Sequence, residues 1–258
     1  MTSSTPHHWV ITLVCADQPG IVHAVSGAIV QAQGNISESQ QFSSDDTGRF
    51  FMRLQVQSPV TRPELEAALA PVIQRYAMAS VIDVVGRPLR TLVLSNHGTL
   101  RDLVGFYGVP FESLPITDAA SKAAFEARVI EAVDELDIEL VVLARYMQIL
   151  SPELCAKLSG RAINIHHSFL PGFKGANPYK QAHARGVKLI GATAHFVTSE
   201  LDEGPIIEQN VVRVDHSRTP AELVSIGQDE ESRTLTQAVK WFAENRVLLD
   251  GVRTIIFK

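Results

Sequence analysis

Cysteine is scarce in this chain of 258 residues, which holds only Cys15 and Cys155. They stand far apart and without metal-type spacing, which argues against a disulfide-stapled scaffold or a zinc ribbon and suits a reducing cytoplasm. Positive charge is also short, with 23 Lys plus Arg against 28 Asp plus Glu and a net charge of −5. Without a basic excess to neutralise phosphates, nucleic acid and anionic membranes are poor partners. No apolar run approaches the roughly 18 to 20 residues that span a bilayer. The start, Met1 to His8, lacks the basic-then-apolar order of a signal peptide. Repeats and low-complexity segments are absent. What the chain does have is 45% hydrophobic and 20% charged residues, enough to bury a substantial core and to rule out disorder as its main state.

The pattern breaks at Val85-Gly86-Arg87-Pro88, which sets a boundary between residues 1–86 and 87–258. In the first part, Trp9 to Cys15 reads as a strand, followed by a break at Asp17-Gln18-Pro19-Gly20. A helix follows, with Val22, Val25, Ile29 and Ala32 on one face and Gly34-Asn35 as its stop. Ile36 to Phe42 and the alternating Phe50, Met52, Leu54 and Val56 flank an Asp45-Asp46-Thr47-Gly48 turn, which predicts a hairpin. Pro63 to Tyr76 predicts a second helix and Ser80 to Val85 a last strand. The order is that of a split βαβ, ferredoxin-like sandwich.

In the second part, Leu89 to Leu94, Ile138 to Ala144, Ala162 to Ile165, Leu189 to Val197 and Ile206 to Val214 read as strands. Helices are expected at Thr99 to Tyr107, through Phe125, Val129, Val133 and Leu136, and from about Pro220 to Asn245. The fold class is α/β, an open, mostly parallel sheet with helices on both faces, whose ligands sit beyond the carboxyl ends of the strands.

The chemistry gathers where the strand Ala162 to Ile165 runs into His166-His167-Ser168 and a Gly- and Pro-rich loop through Gly175-Ala176-Asn177-Pro178-Tyr179. Alternation puts Asn164 and His166 on one face. An amide donor beside an imidazole can stabilise an oxyanion while a proton moves. The acidic turn Thr198 to Pro205 could orient that imidazole. Without further context, a polar pair at a strand end is more often hydrogen-bonded structure than an active site. Adjacent histidines on a strand face opposite ways, which disfavours a metal site and turns His167 elsewhere. Asp229-Glu230-Glu231 reads as a solvated helix face.

Several of these motifs are specific. Asn164-Ile165-His166 with Ser168, Leu170-Pro171 and Gly175, His195-Phe196-Val197, and Leu201-Asp202-Glu203-Gly204-Pro205 resemble the formyltransferases and deformylases that use N10-formyltetrahydrofolate. The first part, with Asp17-Gln18-Pro19-Gly20-Ile21 at its first turn, is similar to an ACT domain, and the combination resembles the formyltetrahydrofolate deformylases. The resemblance implies hydrolysis of 10-formyltetrahydrofolate to formate and tetrahydrofolate, supplying formate for purine synthesis, with folate as substrate and no cofactor. It implies Asn164, His166 and Asp202 as catalytic residues. It places the folate against Arg145, Tyr146, Met147, Gln148, Ile149 and Leu150 and against the turn holding Glu200, Leu201 and Glu203. Tyr146 and Met147 fit a core role equally well. The ACT-like half implies an amino-acid effector and a homo-oligomer.

One stretch departs from that pattern. Thr91-Leu92-Val93-Leu94 runs straight into Ser95-Asn96-His97, so a single apolar run stands where a strand, a helix and a second strand are expected. A βαβ unit takes about 30 residues, and an internal deletion of that size after Leu94 is inferred. Transfer of the formyl group to an amine would need an acceptor cradle whose usual place is the missing stretch, which favours hydrolysis. A catalytically impaired amino-acid-binding protein is the remaining alternative.

Overall fold

The computed structural model describes residues 6–96, 100–168, 170 and 178–258. His97, Phe169 and the loop residues 171–177, which include Gly172-Phe173-Lys174-Gly175, lie outside the described residues. The chain forms two compact units, one up to Pro88 together with Trp241–Lys258, the other Leu89–Lys240.

In the first unit, β1 (His7–Ala16), α1 (Ile21–Gln31), β2 (Asn35–Ser44), β3 (Arg49–Ser58), α2 (Arg62–Arg75) and β4 (Ala79–Val84) follow the predicted order. They build one antiparallel sheet, β2-β3-β1-β4. The buried face of α1 is Ile21, Val25, Ala28 and Ile29. Val22 is exposed, so the apolar stripe begins one residue earlier than the spacing of Val22, Val25, Ile29 and Ala32 suggests. At the end of this helix Gln33 takes the left-handed conformation (φ 53°), and the Gly34 N–H donates back to Ile29 O at 2.8 Å. Gly34 is needed for closeness, because a Cβ there would lie 2.7 Å from Ile29 and 2.9 Å from Val56.

The second unit holds β5 (Thr91–Leu94), α3 (Leu100–Phe106), α4 (Ala119–Glu135), β6 (Leu140–Leu143), α5 (Pro152–Lys157), β7 (Ala162–His166), α6 (Pro178–Ala184), β8 (Leu189–Phe196), β9 (Ile206–Arg213) and α7 (Pro220–Ala243) up to Lys240, with its sheet ordered β5-β6-β7-β8-β9. A mostly parallel sheet was expected, but this one is mixed. The pairs β5–β6 and β6–β7 are parallel, while β7–β8 and β8–β9 are antiparallel. The connection from β8 to β9 is only a turn, too short for the crossover that parallel neighbours require. All four residues of β6 are buried, as in a strand covered on both faces.

The single apolar run before the shortfall becomes β5. It pairs directly with β6 and so closes the gap, but it stands at the sheet edge. Val93 is exposed, as are Phe106, Tyr107, Val109, Phe111 and Leu114 in the segment that follows.

The chain then forms β10 (Val247–Asp250) and β11 (Arg253–Ile256), an antiparallel hairpin that the sequence pattern did not reveal. These residues group with the first unit, whereas the sequence pattern assigned everything from residue 87 onward to the second. Phe51 packs against Leu248 and Phe257. Arg53, 2% exposed, donates to Glu38 at 2.6 Å and to the Glu244 carbonyl at 3.0 and 3.2 Å. The outer face of β3 is therefore a second core, and a buried guanidinium is tolerated there because its donors are satisfied.

Candidate active site

The site forms at the carboxyl end of β7, where the backbone has used its pairing partners and side chains are free to converge. Asn164 lies opposite His195 in the antiparallel β7–β8 register. The turn after β8 returns along the chain, with Phe196 N donating to Pro205 O at 2.9 Å, and carries Asp202 beneath the strand end. Two backbone features make this possible. Asp202 adopts φ 57°, a left-handed conformation that short polar side chains tolerate better than most. Gly204 passes so close to Phe196 O that a Cβ would collide with it.

His166 and Asp202 meet there. His166 Nδ1 lies 3.2 Å from Asp202 Oδ2, and the two side chains are only 7% and 12% exposed. Hydrogen bonding from His166 outweighs burial and holds the Asp202 carboxyl well below the usual carboxylate range. His195 Nε2 is 3.7 Å from Asp202 Oδ1, beyond hydrogen-bond length, so the direction stands on His166. An ionised carboxylate only accepts, so the His166 proton sits on Nδ1 and the lone pair on Nε2. Nε2 is buried and has no hydrogen-bond partner among the described residues.

His195 was noted in the sequence only within a motif, yet it belongs to the centre. Its Nδ1 lies 2.8 Å from the Phe196 carbonyl and its Nε2 lies 3.3 Å from Asn164 Nδ2. A carbonyl only accepts, so Nδ1 carries the hydrogen and Nε2 accepts from the Asn164 amide. That fixes which end of the amide is the donor and leaves its second N–H for a ligand. The readable signal was Thr193 and His195 on one face of a strand whose other residues are small or apolar.

These groups line a cavity of about 720 Å³, within the usual size range of small-molecule sites. Arg145, Tyr146, Met147, Gln148, Ile149, Leu150, Glu200 and Leu201 line it as well, whereas Glu203 does not. Met147 and Ile149 are exposed. Tyr146 belongs to the core, its ring stacked on Phe125 at 5.7 Å, and it also lines the cavity. Burial, with Glu126 nearby, pushes its phenol up to about 12. His167 also faces the cavity, its ring stacked on His166 at 5.0 Å. The strand ends at His166, so alternation no longer governs its neighbour.

Glu231 corrects another expectation. Asp229 is exposed and Glu230 intermediate, but Glu231 is buried at the cavity wall. It falls four and eight residues after Gly227 and Leu223, on the buried stripe of α7.

The Formyl transferase family pattern matches residues 72–239 and the ACT domain pattern residues 9–71. A formyltetrahydrofolate deformylase of Corynebacterium sp. (strain P-1) is 41% identical, covering 96% of this chain and 98% of its own. That alignment runs over 280 positions, while 96% of 258 residues is about 248, so about 32 positions have no residue in this chain. The difference matches in size the shortfall inferred after Leu94. The crystal structure of a formyltetrahydrofolate deformylase from Burkholderia mallei superposes with a TM-score of 0.93 at 44% identity, covering 98% of this chain and 100% of that one. A glycinamide ribonucleotide transformylase from Symbiobacterium toebii covers 67% of this chain, with a TM-score of 0.58 at 30% identity.

Proposed function

The chain belongs to the formyltetrahydrofolate deformylase family, and from that premise we propose that Asn164, His166 and Asp202 carry out its hydrolysis of 10-formyltetrahydrofolate to formate and tetrahydrofolate. The observation that carries the assignment is His166, anchored through Nδ1 on an ionised, buried carboxylate, with its Nε2 unpaired among the described residues.

In this reading His166 Nε2 takes a proton from water as the water oxygen bonds to the formyl carbon. The formyl oxygen becomes an oxyanion and accepts from the Asn164 N–H that His195 leaves free, a contribution worth typically about 2.7 to 4 kcal/mol. Asp202 stays ionised and stabilises the imidazolium. The tetrahedral carbon then collapses, the bond to N10 breaks, and Nε2 returns its proton to that nitrogen. Tetrahydrofolate leaves, and formate gives its remaining acidic proton to solvent. Met147, Ile149, Leu150 and Leu201 offer apolar contact to the flat pteridine, while backbone groups of their loops meet its donors and acceptors.

The test is formate release from 10-formyltetrahydrofolate, with and without an amine acceptor. Release without acceptor is expected, and turnover only with acceptor would point to transfer. The proposal extends to the first unit, which takes an amino-acid effector and pairs with a second copy. In support, Gly20 precedes α1 at φ 93° with no side-chain cap, so backbone N–H groups at that helix start are open to a carboxylate. Calorimetric titration with a panel of amino acids, alongside the oligomeric state, tests this; no heat and a monomer would reject it. Among the described residues no helix is long and apolar enough to cross a membrane. Cys15 and Cys155 are both free thiols, which supports a reducing, cytoplasmic setting.

A further inference from the structure

The cavity lining also contains a second polar cluster that the hydrolysis does not use. Glu231 Oε2 accepts from Arg145 Nε at 2.9 Å and Glu231 Oε1 from the Tyr179 hydroxyl at 2.7 Å. The Glu231 side chain is 7% exposed, against 38% for Arg145. A carboxylate so deeply buried needs both partners to offset its desolvation. The seat is specific. The Tyr179 ring lies against Gly227, where a Cβ would collide with it, and its hydroxyl reaches the carboxylate one helical turn further along α7. Burial and Glu231 together raise the Tyr179 phenol far above its ordinary value, so it remains a donor.

Arg145 opens the segment that lines the cavity through Leu150, and its backbone is left-handed at φ 56°. Such a conformation in an arginine costs energy and persists where surrounding contacts over-determine it. The same segment is fixed at its other end, where Ser151 N donates to the buried Glu126 at 3.0 Å. Between these two attachments Tyr146 and Leu150 are buried in the core, while Met147, Gln148 and Ile149 are exposed and have little packing of their own. The carboxylates at its two ends therefore add polar anchors to the core contacts of Tyr146 and Leu150.

We propose that Glu231 is a positioning residue for folate: seated by Tyr179 on Gly227, it holds Arg145 and so fixes the segment from Tyr146 to Leu150 in the shape that receives the pteridine. The inference rests on the deformylase reading for the identity of the ligand, but it concerns binding and is read independently of turnover. Glu231 acts through Arg145 and takes no part in moving protons, so its loss weakens binding more than it slows chemistry.

The experiment measures the Kd for tetrahydrofolate by calorimetry and, with 10-formyltetrahydrofolate, KM and kcat. Glu231→Gln and Arg145→Met are each expected to raise Kd and KM about tenfold, which is about 1.4 kcal/mol, with kcat falling less than threefold. The double variant should be no worse than either single one, because both remove the same tether. Tyr179→Phe, nearly isosteric and missing only the hydroxyl, serves if Glu231→Gln does not fold; it should raise Kd about threefold and lower Tm by a few degrees, because one buried carboxylate oxygen loses its donor. Unchanged Kd in a folded variant, or additive losses in the double, would overturn the proposal. Absence of wild-type turnover with normal tetrahydrofolate binding would count against the hydrolytic reading while leaving this one to be decided by Kd.

Discussion

Replacing Asp202 by Asn gives the sharpest test of the catalytic assignment. Asp202 stands at φ 57°, where Ala would be strained but Asn is well tolerated, so the backbone of the turn should survive. The change removes one charge 3.2 Å from His166 Nδ1. At an effective dielectric constant of about 20, a full unit pair at that distance is worth about 5 kcal/mol. This is a ceiling, because the imidazolium is only partly formed in the transition state. The Asn amide can also turn its NH2 toward Nδ1, which would move the His166 proton to Nε2 and remove the base. The expected loss in kcat is about 100- to 10,000-fold, in the range of a lost general acid–base contribution, with KM changed less than about threefold because Asp202 acts on the proton and not on the pteridine. Formate release at saturating 10-formyltetrahydrofolate gives kcat, and a melting curve confirms folding. A folded Asp202→Asn protein within tenfold of the wild-type kcat would refute the reasoning.

Asn164→Ala should lower kcat by about 100- to 1,000-fold through loss of the oxyanion donor, with formate release as the readout and a Tm near that of the wild type. Gly204→Ala should cost about 1 to 3 kcal/mol of stability, read as a fall in denaturation midpoint, because its Cβ meets Phe196 O; an unchanged midpoint would show that the turn can relax. The Asp202 pKa is lowered in the folded protein, so its contribution is present above the unfolded carboxyl's pKa of about 3.9 and is lost as pH falls through the folded value. Melting curves on the acid side should therefore be less steep in pH for Asp202→Asn than for wild type, and equal slopes would contradict the pairing.

Elements with a strong period were legible in the sequence because burial is one-sided in them. The inward residues Phe50, Met52, Leu54 and Val56 of β3 are all buried, as their alternation predicts. The other face of β3 was not legible. Phe51 and Arg53 are as deeply buried as their neighbours, Phe51 against Leu248 of β10 and Phe257 just past β11, Arg53 against the Glu244 carbonyl before β10, and each of these strands is only four residues long. Strands so short carry no readable period, and nothing local reveals that the end of the chain returns to the first unit. The six residues of α5 escape for the same reason. The missing crossover was visible as a shortfall, but how the sheet would close was not, because pairing β5 directly with β6 is a non-local choice.

The site divides along the same line. Asn164 and His166 stood out as polar residues at the end of an apolar strand and the acidic turn after another stood out as a whole, whereas the family resemblance singled out Asp202 within it. His195 and Glu231 look ordinary in sequence: one is a lone histidine in a strand, the other the last of three acidic residues. Their significance comes from partners far along the chain, Asn164 for His195 and both Arg145 and Tyr179 for Glu231. Glu231 still carried a signal, because counting back by four reaches Gly227 and then Leu223, which puts it on the stripe that α7 buries. A carboxylate on a buried stripe cannot be a solvated charge, since leaving it unpaired there would cost several kcal/mol. It demands partners, and the cation and phenol that answer it also line the cavity.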